Sequence, residues 1–310
     1  MMHFLKLIRY QNLLVLAIMQ LIIRYGFLEE LNYYFALTHL EFSLFILASL
    51  CIAAAGYIIN DVFDQVVDAI NKPERRIIGT QIAEEKAYYL YGGLSIVGVG
   101  IGMYLSNSIG RPGFGVFFVL IVALLYVYSS SLKQMPFIGN LVIALLVGAS
   151  VLLVPVFDIY PVTHEGNKLA MGALFGMLKN YAILAVMITL IREIIKDAED
   201  VQGDDVEGMQ TLPIVLGMSK TNSIIAVLAF ISSGAIVYYC FTHLLDNNLF
   251  YLMGYLGLFV IAPLIFIAIR VLQAKSKEDY TQLSKWVKII TVMGIFALAV
   301  LTFNLKQNVA

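Results

Sequence analysis

The chain has 310 residues, of which 60% are hydrophobic and 13% are charged, and its formal net charge is −1. Soluble domains are about 45–50% apolar and about 25% charged, so a soluble globule of this length could not bury so much apolar surface. The small net charge also excludes the basic surface that nucleic-acid binding requires. The composition therefore indicates an integral membrane protein, and the length of the apolar runs indicates helices rather than barrel strands.

Nine apolar runs approach the length of about 20 residues that a membrane-spanning helix needs. They predict an all-α, multi-pass membrane protein with a single transmembrane domain over residues 1–310. The first run follows Lys6 and Arg9 without a small-residue cleavage site, so we predict a retained helix rather than a signal peptide. In chain order, the predicted spans are 11–28, 39–60, 87–107, 113–131, 138–157, 173–194, 221–243, 248–271 and 286–305.

The positive charges predict the orientation of these nine spans. Of the 20 Lys and Arg residues, 15 fall in the loops on the side of the N-terminus and 5 in the loops on the other side. Because cytoplasmic loops carry the excess of such residues, we predict a cytoplasmic N-terminus and an external C-terminus, in the inner membrane of the cell. Asp158, after the fifth span, is expected in a loop on the external side, where its replacement by alanine should be neutral.

Two acidic segments, residues 60–68 and 197–205, stand at the predicted cytoplasmic ends of the second and sixth spans. Side chains four residues apart share one face of a helix. Each segment has such a spacing, which joins Asn60, Asp64 and Asp68 in the first and Asp200 and Asp204 in the second.

The position of these acids indicates a bound cation. A carboxylate at a helix C-terminus is unfavourable by roughly 0.3–1 kcal/mol, and like charges four residues apart repel each other. Solvated acids at helix ends are the alternative interpretation. Oxygen ligands without neighbouring His or Cys select hard ions such as Mg²⁺ or Mn²⁺, and Mg²⁺ commonly joins carboxylates to substrate phosphates.

Basic residues accompany the acids. Each one alone is explained by the topology signal, but together with the acids they indicate a clamp for a diphosphate. The residues concerned are Lys72, Arg75 and Arg76 after the first segment, Arg192 and Lys196 beside the second, and Lys133 at the end of the fourth span.

With these two acidic motifs the chain resembles the UbiA superfamily of intramembrane prenyltransferases. Residues 60–68 fit the pattern N-D-x-x-D-x-x-x-D and residues 200–204 fit D-x-x-x-D, on the second and sixth spans, and the stretch 211–217 follows. The resemblance covers nearly the whole chain. It implies a bundle of nine helices around a central cavity, in which the acidic motifs bind Mg²⁺ and the diphosphate of a polyprenyl donor.

The resemblance also implies individual roles. The metal side comprises Asn60, Asp64, Asp68, Asp197, Asp200 and Asp204. The residues implied for the diphosphate are Arg75, Lys133, Arg192 and Lys196. Those implied for catalysis are Asp61, Asp64, Asp200 and Tyr128, of which Tyr128 faces the cavity near the reacting carbon. Arg9 and Asn12 match a polar pair that lines the substrate pocket.

The flanks of the motifs, residues 128–142 and 192–200, look most like the prenylglycerol-phosphate branch of the superfamily. We therefore expect Mg-dependent transfer of a polyprenyl group from a polyprenyl diphosphate to a lipophilic acceptor, a prenylglycerol phosphate. We also expect contact with membrane lipid, and neither nucleic acid nor an obligate protein partner. The alternative acceptor is an aromatic acid of quinone biosynthesis, 4-hydroxybenzoate or a naphthoate. A different class, an ion or phosphate-linked transporter, would place ionisable groups near mid-membrane, whereas these cluster at one end.

Overall fold

The structure, a computed structural model, describes residues 2–31 and 34–309, and long helices form its framework. Within those residues, nine helices are long and apolar enough to cross a membrane, as predicted. We number them α1 (Tyr10–Leu31), α2 (His39–Phe63), α3 (Glu84–Ser108), α4 (Pro112–Ser130), α5 (Ile138–Val162), α6 (Lys168–Val206), α7 (Met218–Leu244), α8 (Phe250–Val271) and α9 (Lys277–Asn308). The described residues contain no β-strand, only an isolated bridge between Ile78 and Ile82.

Helix α6 is much longer than the predicted span. It has 39 residues and continues to Val206, twelve residues past the predicted end at 194. Helix α9 likewise begins at Lys277 rather than at 286. The predicted spans stop where charged residues begin, but a helix continues through charged residues when they face a cavity inside the protein. The second acidic segment is therefore part of α6 rather than a loop after it.

Local signals explain how two of these helices begin. Arg9 has a left-handed backbone (φ 49°), which separates a short helix, Met2–Leu7, from α1. Helix α2 begins with a capping box, in which the Thr38 hydroxyl accepts from the Glu41 N–H and the Glu41 carboxylate accepts from the Thr38 N–H. These two helix starts fix the direction in which α1 and α2 enter the bundle.

The helices pack as two groups around a shared space. Helices α3 and α4 pack on α2, α5 packs on α6, and α9 packs on α6 and α8. Away from the acidic segments, four phenylalanines pack together at ring-centroid distances between 5.4 and 6.3 Å; they are Phe42, Phe45, Phe118 and Phe157. This cluster fills the bundle at one end. We call the end that carries residues 60–68 and 197–205 the motif end, and the other the opposite end.

The prediction that Asp158 lies in a loop is wrong, because Asp158 belongs to the helical segment Ile138–Asp158 of α5. Its side chain is completely buried at the opposite end, where Oδ2 lies 3.3 Å from Nε of Arg24 and Oδ1 accepts from the Leu37 N–H at 3.1 Å. The Arg24 guanidinium also lies 3.6 Å from the centroid of the Phe35 ring. Asp158 looks like a loop residue in the sequence because a charge follows an apolar run, yet its partner lies on another helix.

Candidate active site

A cavity of about 1060 Å³ runs from the motif end down to Phe118, and α1, α2, α4, α5, α6 and α9 supply most of its lining. The sequence-predicted site residues gather here. Those that line it are Arg9, Asn12, Asn60, Asp61, Asp64, Asp68, Tyr128, Lys133, Arg192, Lys196, Asp197, Asp200 and Asp204. The side chain of Arg75 lies outside the described part of the structure.

The first motif keeps its helical spacing although α2 ends inside it. Asp64 interrupts the helix, and a short helix, Gln65–Asn71, continues from it. The hydrogen bonds Asp64 N–Asn60 O (2.9 Å) and Asp68 N–Asp64 O (2.8 Å) preserve the four-residue repeat. The Asn60 amide and the Lys133 ammonium both donate to the Asp64 carboxylate. Lys133 therefore joins the end of α4 to the first motif.

The second motif faces the first from the last three turns of α6. Lys72 follows the first motif in the chain, and its Nζ donates to Asp200 Oδ2 of the second motif at 2.6 Å. This contact crosses the mouth of the cavity. Asn140 Nδ2 on α5 donates to Asp197 Oδ2 at 2.8 Å. Lys72 belongs to the diphosphate clamp that the sequence predicts, whereas sequence reasoning did not assign Asn140 to the site. The signal for Asn140 is a lone amide at the motif end of an otherwise apolar run.

An asparagine clamp holds the two motifs together. Asn71 Nδ2 donates to the Asp200 carbonyl at 2.7 Å, and its Oδ1 accepts from the Gly203 N–H at 3.1 Å. A Cβ atom on Gly203 would lie 2.4 Å from Asn71 Nδ2 and 3.0 Å from the Val67 carbonyl. Only glycine allows this approach, so Asn71 and Gly203 set the distance between the motifs. No sequence pattern marks either residue as part of a site.

Arg9 reaches the cavity through its unusual backbone. A non-glycine residue at positive φ is strained, and such strain collects at functional sites. The turn at Arg9 brings Nη2 to 2.7 Å from Asp61 Oδ1 and the guanidinium to 5.0 Å from the centroid of the Tyr57 ring. Asp61, in the first motif, is thus paired with the cation that the sequence placed in the substrate pocket.

A group of mainly basic residues lies deeper in the cavity. Glu193 accepts from Lys196 Nζ at 2.8 Å and from Arg192 Nη1 at 3.3 Å, and Lys288 Nζ on α9 donates to Asn12 Oδ1 at 2.9 Å. Glu193 and Lys288 were not identified from the sequence. The signal for Lys288 is weak, because a lysine near the start of a predicted span is ordinarily a topology marker.

Negative charge dominates the mouth of the cavity. Six aspartates and Glu74 line it there against four cations; the aspartates are Asp61, Asp64, Asp68, Asp197, Asp200 and Asp204, and the cations are Lys6, Arg9, Lys72 and Lys133. Burial, and then repulsion from Asp64 and Asp61, raises the pKa of Asp68 to about 6. The mouth therefore favours an added cation.

The donor set fits Mg²⁺ bound together with a phosphate. No three acids, histidines or cysteines of the described residues stand close enough to hold an ion by themselves. Mg²⁺ needs no such cage, because it commonly takes one or two carboxylates plus substrate phosphates and water. Oδ1 of Asp200 is buried without a hydrogen-bond partner, and its other oxygen is held by Lys72. A carboxylate with one free buried oxygen suits an incoming ion.

Comparisons with known proteins match both the sequence and the fold. The model of the UbiA prenyltransferase family matches residues 30–289. The digeranylgeranylglyceryl phosphate synthase of Methanosphaera stadtmanae is 33% identical over 262 residues, which cover 82% of this chain and 86% of that protein. The solved structure of a UbiA homolog from Aeropyrum pernix K1 has a TM-score of 0.67 at 14% identity, covering 91% of this chain and 95% of that one. A UbiA homolog from Archaeoglobus fulgidus, bound to DMAPP and Mg²⁺, has a TM-score of 0.58 at 13% identity and covers 95% and 98%.

Proposed function

The chain belongs to the UbiA prenyltransferase family, and on that premise we propose that it transfers a geranylgeranyl group from geranylgeranyl diphosphate to a prenylglycerol phosphate, with Mg²⁺ as cofactor. One observation carries the proposal: both acidic motifs line the mouth of one cavity and are held against each other by Asn71. The family membership makes the chain a prenyltransferase. The A. fulgidus homolog supports an isoprenoid diphosphate and Mg²⁺ as the bound pair.

The residues at the mouth supply the means to bind a diphosphate. Asp64 and Asp200, together with Asn60, Asp68, Asp197 and Asp204, would hold Mg²⁺, which when bound neutralises the charge that develops on the leaving diphosphate. Lys133 and Lys72 each touch one motif carboxylate, so both ammonium groups are within reach of a diphosphate placed between the motifs. Lysine ammonium groups and a metal ion held by carboxylates are complementary ligands of phosphate.

The apolar part of the cavity, further from the mouth than the motifs, protects the reacting carbon from water. Its walls are mainly apolar, with Leu125, Val147 and Ile188 among the lining residues. Such a wall excludes water from an allylic carbon on which positive charge develops. Tyr128 lies in the same cavity and offers a ring face to that charge.

The relative from M. stadtmanae supports the choice of acceptor. Its product name describes a glyceryl phosphate with two geranylgeranyl groups, which requires an acceptor that already carries one. The aromatic acids and the transporter remain as outcomes of the test. Purified protein with geranylgeranyl diphosphate and Mg²⁺ should prenylate geranylgeranylglyceryl phosphate faster than 4-hydroxybenzoate or a naphthoate. Preference for an aromatic acid would overturn the acceptor, and no consumption of the donor with any acceptor would overturn the reaction.

The metal is tested in the same assay. We expect excess EDTA to abolish product formation and added Mg²⁺ to restore it, because the carboxylates at the mouth leave a diphosphate without enough compensating charge. Full activity in EDTA would contradict the proposed cofactor. Binding of geranylgeranyl diphosphate, measured separately by calorimetry, should weaken under the same conditions.

We propose further that the motif end faces the cytoplasm, because 15 of the 20 Lys and Arg residues belong to that side. Single cysteines test this, since both native cysteines, Cys51 and Cys240, are buried. A cysteine at Glu165 should react with a membrane-impermeant thiol reagent in intact cells, and one at Lys72 should not. The reverse pattern would invert the orientation.

A further inference from the structure

The charged residues of the cavity form two tiers along α6. The upper tier, at the mouth, is the carboxylate-rich set that contains Asp200. The lower tier contains Arg192, eight residues earlier, which at about 1.5 Å per residue lies about 12 Å further along the helix axis. Arg192 and Asp200 therefore stand at different depths of the cavity. In the lower tier Arg192 and Lys196 both donate to Glu193, and a third cation, Lys288, lines the same cavity.

Lys288 is the cation of this tier that lacks a carboxylate partner among residues 2–31 and 34–309. Its ammonium donates to the neutral amide of Asn12, and its charged neighbour is another cation, Arg192. Nε of Arg192 is buried without a hydrogen-bond partner. Two neighbouring cations repel each other unless an anion joins them. The lower tier is therefore built for an anion that the chain itself does not supply.

We propose that Lys288, with Arg192 and Asn12, binds the phosphate of the acceptor at a subsite separate from the donor diphosphate. The inference rests on the proposed function and assigns Arg192 to the acceptor rather than to the diphosphate. Tyr128 lines the same cavity as both tiers. The reacting carbon and the acceptor hydroxyl then meet beside Tyr128, between the two anions. The free hydroxyl of a glycerol phosphate lies close to its phosphate, so anchoring the phosphate also positions the hydroxyl.

Three variants of α9 test the role of Lys288. Lys288→Met removes the ammonium, Lys288→Arg keeps a cation, and Lys285→Met is a matched control, because Lys285 is exposed on the same helix and outside the cavity. We expect Lys288→Met to raise the KM for geranylgeranylglyceryl phosphate about ten- to hundredfold, the loss expected for one charged hydrogen bond. The KM for geranylgeranyl diphosphate should stay within about twofold. Lys288→Arg should recover most of the acceptor affinity, and Lys285→Met should match the wild type.

A second acceptor separates phosphate binding from general damage to the pocket. Wild type should strongly prefer geranylgeranylglyceryl phosphate over geranylgeranylglycerol, which lacks the phosphate, and Lys288→Met should lose most of that preference. If Lys288→Met instead raises the donor KM, or keeps the preference, the subsite is wrong while the prenyltransferase proposal stands. If the wild type transfers to neither acceptor, it is the proposed function that fails.

Discussion

The two ends of the bundle both contain charged residues within spanning helices, but they use them differently. At the opposite end one cation meets one carboxylate, and both are almost fully buried: the side chains of Arg24 and Asp158 are 4% and 0% exposed. The neighbouring backbone completes this arrangement, since Leu37 donates to Asp158 and accepts from Arg24. Neither Arg24 nor Asp158 lines the cavity that contains the acidic motifs.

At the motif end the charges are neither balanced nor sealed. Carboxylates outnumber cations at the mouth, cations outnumber carboxylates in the lower tier, and all of them line one cavity. The ion pairs there are partly exposed, with 27% and 21% of the side chains of Lys72 and Asp200 accessible. A balanced buried pair contributes to the fold, whereas separated charges around a cavity are available to a ligand.

Breaking the pair at the opposite end should have the largest effect on stability. Asp158→Ala leaves the buried Arg24 guanidinium without its carboxylate, and we expect it to lower the free energy of unfolding by about 3–5 kcal/mol. Thermal unfolding of the detergent-purified protein measures this. Glu165→Ala, in the exposed loop that follows, is the control and should unfold as the wild type does. Identical unfolding of both variants would show that the pair is dispensable.

Breaking the motif end should affect turnover and spare the fold. Asp200→Asn removes a charge from the mouth, and we expect kcat to fall about 10²–10³-fold, as on loss of one preorganised electrostatic group. Unfolding should stay at the wild-type temperature or rise, because repulsion among the carboxylates is relieved. Asp205→Asn is a close control, since Asp205 belongs to the same acidic segment but is exposed outside the cavity. Equal activity of Asp200→Asn and Asp205→Asn would remove Asp200 from the site.

The clamp between the motifs should show a smaller, mixed effect. Gly203→Ala places a methyl group against Asn71, and overpacking of this kind costs about 1–3 kcal/mol. We expect both a modest loss of stability and a decrease in kcat of about tenfold, because the motifs move apart. Gly172→Ala adds the same methyl group to α6 where nothing lies within 4 Å of it. A drop in activity with Gly172→Ala as large as with Gly203→Ala would argue against the clamp.

The smallest effect on stability should come from replacing both members of the buried pair, Arg24 and Asp158, at once. In the double variant Arg24→Met with Asp158→Leu no buried charge is left unpaired, so we expect a stability within about 1 kcal/mol of the wild type. Activity should persist, which unfolding and turnover measurements on the same preparation would show. The equivalent double replacement at the motif end, Lys133→Met with Asp64→Leu, should stay inactive. Activity in that variant would contradict the distinction between a structural ion pair at one end and a functional one at the other.

Much of this molecule follows from the sequence alone. The nine spans and the all-α class could be predicted because an apolar run of about 20 residues is a local property. Such a run crosses the hydrocarbon core as a helix, in which all backbone groups are hydrogen-bonded internally. The family was identified from two short acidic patterns, since spacing within one helix determines which side chains share its face. The same local character explains the errors. The predicted spans for α6 and α9 are too short, because a charged residue ends an apolar run but does not end a helix.

Only the tertiary structure decided which charges meet. Lys72 and Asp200 are 128 residues apart, Asn71 and Gly203 are 132 apart, and Lys288 and Asn12 are 276 apart. The helical repeat says which residues lie on one face, but not which neighbouring helix that face meets. That choice depends on how closely the helices pack, as at Gly203, and on which buried charges find partners. The sequence marks Asp200 through its motif, but only its surroundings in the fold show that Asp158 is a structural residue.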